Sequence, residues 1–368
     1  MELIKITDKF VTLNSEPYND VSIWQGKTYL LKRGHAQSIA GLGLGKIMKG
    51  SEHLRHFSQE ALVYHSSPIK VLFLFDGGLG DAISLAILFN ALRSKYNITA
   101  NIACKKEVWR DILKPLGFSG KWYPLPVELD IINVHDYIQT RADIFFKDKP
   151  EKWNLCIVDE FCDVYKVDLV ADAIHYSIPE KIIKSSILHE TNGIRIGVNF
   201  DSKGRIRSYP EELQPILLSL LSHIGFEIFI LGVEAPNLPV MSGDNSIHVF
   251  SGKTTVPELA SIIQQMDIML CVDSFIAHFS NAMGIETITL LSTTRKGIYS
   301  WHKHVYCLES KIECSPCGEV ANSCPAGLDQ CKAFFHESIS PEVILYSVVN
   351  QCACHFDRLI QTSIGGKG

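Results

Sequence analysis

No stretch of the chain approaches the roughly 20 consecutive apolar residues needed to cross a bilayer. The longest apolar runs, Val71–Phe75 and Ile228–Val233, have the length of strands. The opening residues, MELIKITDKF, lack the apolar centre of a secretory signal, so the expected compartment is the cytoplasm. No Asp-x-Asp pair of the kind that holds a divalent ion on a diphosphate occurs anywhere. No catalytic divalent metal is therefore expected. Nor is there an excess of either charge: 35 Lys+Arg against 40 Asp+Glu leave a net −5. That balance argues against a protein whose affinity comes from neutralising a nucleic-acid backbone, and no nucleic-acid partner is expected.

What is present is apolar. Hydrophobic residues make up 46% and aromatics 10% of 368 residues, too much for a disordered chain and enough for two to three domains. The eleven cysteines are an odd number, unsuited to a complete disulfide framework.

Residues 1–66 form a composition block of their own. Short β-prone pieces (Lys9–Leu13, Val21–Trp24, Lys27–Leu31) precede Gly41-Leu42-Gly43-Leu44-Gly45 and polar, His-rich sequence. The block reads as a small β-rich appendage and linker. Its glycine run lacks the preceding strand and following helix of a dinucleotide site and reads as a flexible loop.

From Ile69 strands and helices alternate. Lys70–Phe75 has the pattern of a strand buried on both faces. It ends in Asp76-Gly77-Gly78-Leu79-Gly80-Asp81 and enters a helix over Ala82–Tyr96. Strands are predicted at Ile98–Cys104, Lys121–Leu125 and Trp153–Val158, with a helix over Glu107–Leu113. A second series comprises strand Ile194–Asn199, helix Pro210–Ile224, strands Glu227–Leu231 and His248–Phe250, and a helix from Thr255 to Gln265. Strand Ile268–Val272, helix Ile276–Met283 and strand Thr287–Leu291 complete it. Such alternation predicts an α/β chain with two doubly wound, Rossmann-like domains facing a cleft: an N-terminal one over 67–188 and a C-terminal one over 189–350, followed by a tail at 351–368. Ligands of open α/β sheets bind outside the carboxyl ends of strands, which points to the loops after Phe75, Asn199, Leu231 and Val272.

Three of these loops carry candidate chemistry. Gly77, Gly78 and Gly80 would let a substrate approach the main chain. Asp81 is either the capping residue of the next helix or a carboxylate placed to take a proton from an attacking hydroxyl. The loop Asp201–Pro210 places Lys203, Arg205 and Arg207 within five positions before a helix, which suits a diphosphate or is simply a solvated basic loop. At Asp273-Ser274-Phe275-Ile276-Ala277-His278 the free amides of Phe275–Ala277 and the Ser274 hydroxyl could cradle an anion, with His278 one turn further on. The alternative is a cap and a core histidine. Gly232 and Glu234 are candidates for the nucleoside end.

The order of these motifs (Gly-Gly-Leu-Gly-Asp after the first strand, then Arg207-Ser208-Tyr209-Pro210, then the segment Ser251–Leu291) resembles the family 9 glycosyltransferases, the heptosyltransferases of lipopolysaccharide core assembly and their relatives. The resemblance runs from about Ile69 to Val349. It implies a GT-B fold and inverting transfer of a sugar from a nucleotide-diphosphate sugar, with ADP-heptose as the family default, to an acceptor hydroxyl on a glycan, lipid or protein. It also implies Asp81 as the catalytic aspartate, Arg207 as the phosphate-binding cation, and Asp273, Ser274 and His278 as the family's Asp-Ser/Thr-Gly-x-x-His motif. Phe275 stands where that motif has glycine, and residues 1–66 lie outside the family pattern. A nucleotide-sugar-binding module without turnover and a nucleotide-sugar epimerase are the alternatives. A homo-oligomer and a peripheral location at the inner membrane are further expectations.

Cys314, Cys317, Cys324 and Cys331, spaced C-x2-C-x6-C-x6-C within a loop at 312–332, fit a tetrahedral four-thiolate metal site. Zinc is the first expectation and iron the second, with two disulfides as the alternative. Similar Cys-rich insertions in some family members add to the metal reading. Cys352 and Cys354, a C-x-C pair just beyond, read as bystanders, with a contributed ligand as the alternative. Cys104, Cys156 and Cys271 read as small core residues.

Overall fold

The computed structural model describes residues 1–7, 10–13, 18, 21–48, 55, 57, 68–140, 165–167, 175–185, 188, 193–233, 246–299, 304–317, 324 and 326–365. The predicted strand Trp153–Val158, with Cys156, and the candidate Glu234 lie outside them. The chain forms two compact units, Met1–Lys149 with Glu160–Val170, and Pro150–Asp159 with Ala171–Gly368. No described helix is long and apolar enough to cross a membrane.

In the first unit strand Ile69–Leu74 is buried at every position but Lys70, as the apolar run Val71–Leu74 requires. It pairs in parallel with Ile98–Ala103 on one side and Tyr137–Thr140 on the other, and Trp122–Tyr123 extends the Ile98–Ala103 side. The strand order reverses direction beside Ile69–Leu74, so the loop after that strand stands at the switch point of the sheet. Helix Leu79–Lys95 follows, begun three residues earlier than its apolar spacing alone suggests. The predicted helix over Glu107–Leu113 is a single α-turn, Lys106–Val108, running into a π-helical turn, Trp109–Leu113.

The described residues of 1–48 build an antiparallel layer, and the linker expected after them lies almost wholly outside the described residues. Strands Gly45–Ile47, Glu2–Ile6 and Thr28–Leu31 lie side by side, and Val127–Glu128 adds to the Thr28–Leu31 edge. Phe10–Leu13 and Val21–Trp24 form a separate hairpin. The layer has no core of its own: Ile4, Ile6, Leu30 and Leu31 belong to one apolar cluster with Leu72, Leu74, Ala103 and Ile138 of the parallel sheet. The glycine run is ordered structure. Gly41 ends helix Arg33–Gly41, Gly43 takes φ +73° in the turn, and Gly45 opens a strand.

The second unit holds a six-stranded, wholly parallel sheet. Numbered in chain order, its strands Arg195–Asn199, Glu227–Ile230, Ile247–Val249, Ile268–Val272, Glu286–Leu291 and Val305–Glu309 lie in the order 3-2-1-4-5-6. This is the dinucleotide-fold order, and its switch point falls between Arg195–Asn199 and Ile268–Val272. The helix predicted from Pro210 begins only at Gln214. Before it, the Tyr209 ring is wedged between Phe200 and Phe334, the Tyr209 N–H donates to the Phe200 carbonyl, and the Gln214 side chain donates to the Tyr209 carbonyl, so that residues 211–213 form a turn ahead of the helix. The predicted tail is the second half of one helix, Pro341–Gly365. Ile344, Val348 and Cys352, four residues apart, pack it into the core and carry it past 351.

Candidate active site

The second unit's site is organised by a buried carboxylate. Asp273 follows the last residue of strand Ile268–Val272 and is 3% exposed. Its Oδ2 accepts from Arg207 Nη1 at 3.1 Å and Thr294 Oγ1 at 2.9 Å, and its Oδ1 from the Tyr299 hydroxyl at 2.8 Å. Its carbonyl accepts from Ser202 Oγ and from Arg207 Nη1. Burial pushes the carboxyl up. The Arg207 charge, His278 and the Tyr299 and Thr294 hydroxyls outweigh that and hold it below the ordinary aspartate range. Asp273 is thus an anion that ties three loops together, those after Asn199, Val272 and Leu291.

Ser274 is the N-cap of helix Phe275–Ala282, yet it makes no side-chain cap bond. Its hydroxyl instead donates to Asn199 Oδ1 at 2.7 Å, across the switch point. Neither side of the predicted alternative holds in full: Ser274 is neither a capping side chain nor an outward donor. Diverting the hydroxyl leaves the first-turn amides of Phe275–Ala277 without a side-chain acceptor among the described residues, which is the condition for an anion site at a helix N-terminus. Phe275 stacks on Phe279 within its own helix (centroids 5.0 Å, interplanar 20°), and half-buried His278 stacks on the Tyr299 ring (4.5 Å, 13°).

Arg207 and its neighbours separate. Lys203 and Arg205 are exposed, Ile206 is buried, and Arg207 is committed to Asp273. The basic loop is therefore an anchored turn with two outward cations, not three equivalent ones. Asn199 Nδ2 donates to Asp201 Oδ1 at 2.6 Å, and the other oxygen of Asp201 accepts the Val233 N–H at 2.8 Å. Gly232 has φ +152°, and a Cβ there would stand 2.0 Å from Asp201 Oδ1. Only glycine lets the loop after Glu227–Ile230 close on that carboxylate.

In the first unit Asp81 is the third residue of helix Leu79–Lys95, and its Oδ2 accepts the Gly78 N–H at 3.1 Å. It does cap, as one of the two sequence readings has it. Gly78 has φ −76°, open to any residue, and Gly80 lies in the first helical turn. The tight position is Gly77, where a Cβ would meet the Phe75 ring at 2.6 Å and Asp81 Oδ2 at 2.9 Å.

Asn199, Asp201, Thr294 and Tyr299 escape the sequence reading. A usable signal exists for Thr294: Ser292-Thr293-Thr294 follows a strand at its carboxyl end, the rule already applied to the other loops.

All four cysteines of the predicted metal loop are free thiols. Among the described residues no group of three ligands stands close enough to hold a metal ion. Cys331 is packed into the core while Cys314 and Cys317 lie exposed. The set still converges. Burial raises the Cys331 thiol, and Cys317, Cys314 and Cys324 are close enough to raise it further. Four unpaired sulfur donors sharing one neighbourhood suit a soft or borderline metal. Cys104 and Cys271 are buried as predicted; Cys352 is buried and Cys354 exposed.

Residues 241–326 match the model of glycosyltransferase family 9 (heptosyltransferase). No curated protein sequence matches the chain. Among solved structures it is similar to E. coli ADP-heptose lipopolysaccharide heptosyltransferase II (10% identity, TM-score 0.57, 77% of this chain and 99% of that one). It is also similar to a family 9 glycosyltransferase of Veillonella parvula (15%, 0.59, 78% and 98%). A third is the iron-containing dodecameric glycosyltransferase TibC of enterotoxigenic E. coli (11%, 0.58, 95% and 92%), which is also known in complex with ADP-D-β-D-heptose. At these identities the likeness is one of fold, the α/β GT-B type.

Proposed function

We propose, from the family 9 glycosyltransferase segment this chain carries, that it transfers a glycosyl group from a nucleotide-diphosphate sugar, with inversion, to an acceptor hydroxyl on a glycan, lipid or protein. One observation carries the reading. The matched segment contains Asp273, Ser274, Thr294 and Tyr299, the residues that gather at the switch point of a dinucleotide-type sheet and leave the amides of one helix start uncapped.

In this reading the diphosphate of the donor lies on the amides of Phe275–Ala277, with exposed Lys203 and Arg205 supplying cations. Arg207 acts through Asp273 by fixing the loop. Gly232 and Glu234 serve the nucleoside. Asp81 accepts the proton of the acceptor hydroxyl as its oxygen bonds the anomeric carbon. The bond from that carbon to the diphosphate oxygen breaks with its electron pair, and the helix amides stabilise the charge that the leaving diphosphate gains. ADP-heptose is the first donor to test, as the donor bound in the TibC complex.

The four cysteines would hold a structural metal that braces the loop beside Ser292, whose carbonyl accepts from Ser315. Iron, present in TibC, ranks beside zinc. The reading also takes the protein as cytoplasmic, self-associating, and working at the inner membrane if the acceptor is lipid-linked.

Purified protein is to be incubated with ADP-heptose and other nucleotide sugars alongside a glycan acceptor, and released nucleoside diphosphate measured. Asp81→Asn is expected to abolish release while nucleotide still raises the melting temperature. Turnover unchanged in Asp81→Asn would remove its role. Release of no diphosphate while the sugar epimerises would remove transfer.

A further inference from the structure

The N-terminal layer reaches the loop that carries Asp81. Lys32, the N-cap of helix Arg33–Gly41, places its Nζ 2.6 Å from Asp76 Oδ2, and the Asp76 side chain is 19% exposed. A lysine on a flexible stem is ordinarily a poor fixture. Here its backbone is fixed. The Lys32 N–H donates to the Tyr18 hydroxyl at 2.8 Å, and Tyr18 is 3% exposed, with the His35 ring edge-on to it at 4.9 Å. Burial, and to a smaller degree the Asp76 charge, pushes the Tyr18 phenol up to about 12, so that it stays neutral.

On the other side of the contact the loop is tight. Phe75 is buried and its N–H donates to the Ala103 carbonyl. Gly77, next to Asp76, has room for nothing between the Phe75 ring and Asp81 Oδ2, and Gly78 donates its N–H to that same oxygen. A cation that fixes Asp76 therefore fixes the two residues against which the Asp81 carboxylate lies.

We propose that Lys32 is a positioning residue for Asp81: through its ion pair with Asp76 the N-terminal layer sets the geometry of the Asp76–Asp81 loop, and so belongs to the acceptor side of the catalytic apparatus. This rests on the reading of Asp81 as the base. Lys32 touches no reacting atom in it. Its part is to hold a supporting shell at the tolerance that proton transfer requires.

The experiment uses the full chain and two readouts. Amide hydrogen exchange of the segment Gly77–Asp81 in Lys32→Met is expected to quicken on the order of tenfold, with the melting temperature nearly kept. In transfer assays kcat is expected to fall on the order of tenfold with the donor KM unchanged, and Lys32→Arg to restore both readouts. Asp76→Asn, which leaves Lys32 in place, should reproduce Lys32→Met, and it serves if the latter folds poorly. Exchange of Gly77–Asp81 as slow in Lys32→Met and Asp76→Asn as in the unmodified protein would overturn the proposal. If the unmodified protein releases no nucleoside diphosphate from any donor, the transferase reading fails. The exchange result still decides whether Lys32 sets the loop.

Discussion

Replacing Asp273 by asparagine is the sharpest perturbation the structure offers, because it keeps shape and removes charge. The amide oxygen can keep the Tyr299 hydroxyl bond at Oδ1, and the Thr294 hydroxyl can turn round and accept from the new NH2. Arg207 cannot adapt, since guanidinium has no acceptor and would face another donor. Removing one partner of a buried ion pair costs about 3–5 kcal/mol. Asp273 is 4% and Arg207 18% exposed in their side chains, so water relieves the arginine a little and the low end, about 3 kcal/mol, applies. For a unit of roughly 200 residues each kcal/mol moves the melting point by about 2–4 °C, which gives a fall of about 6–12 °C. Calorimetry of the two proteins at neutral pH measures it. The sign of the pH dependence follows from the depressed carboxyl. Its stabilisation is complete above the unfolded aspartate value of about 4 and drains away as pH falls below it toward the folded value. The gap between the two proteins should accordingly narrow in acid. A gap under about 1 kcal/mol at neutral pH, or one that widens on acidification, would refute the view of Asp273 as the charged organiser of three loops.

Other expectations are shorter. Gly232→Ala should destabilise the second unit by about 1–3 kcal/mol, from a positive φ and a Cβ driven onto Asp201, and should weaken nucleotide binding in a thermal-shift titration. An unchanged melting point would mean that the loop has another route. Protein purified without chelator should carry about one zinc or iron per chain by elemental analysis, and Cys331→Ser should lose it; a metal content unaffected by that change would place the metal elsewhere. Tyr299→Phe should cost about 1–2 kcal/mol, and combining it with Asp273→Asn should cost less than the sum, since both act on one oxygen pair. Additive losses would argue against a shared network.

Much of this architecture was readable because buried parallel strands announce themselves. Val71–Phe75 and Ile268–Val272 are unbroken apolar runs, and both lie in strands with their loops at switch points. The helix after Thr255 was equally plain: its Thr255–Glu258 capping box is formed, with Glu258 accepting from the Thr255 N–H. What stayed hidden depends on contacts between residues far apart in sequence. Nothing local says that Ser274 donates to Asn199 rather than to its own helix, or that Arg207 turns inward while Arg205 turns out. The start of the helix after Pro210 is hidden for the same reason, because the Tyr209 ring has its partners at Phe200 and Phe334. The sulfur spacing showed a donor set, but whether four thiols close on one point depends on what they close around.

Strand Val127–Glu128 has a bearing on how the protein is born. Tyr29 pairs with Glu128 and Leu30 with Val127, about a hundred residues further along, while Ile4 and Leu31 share their apolar cluster with Leu72 and Ile138. A ribosome delivering this chain releases the first strands long before their edge partner or their floor exists. They must wait, as β-prone and largely apolar segments, until the first parallel strands have been made. Slow elongation or a stall before residue 128 should thus leave the strands within residues 1–48 open to chaperones and proteases, and a fast-folding carrier fused ahead of them should raise soluble yield more than one fused behind the second unit.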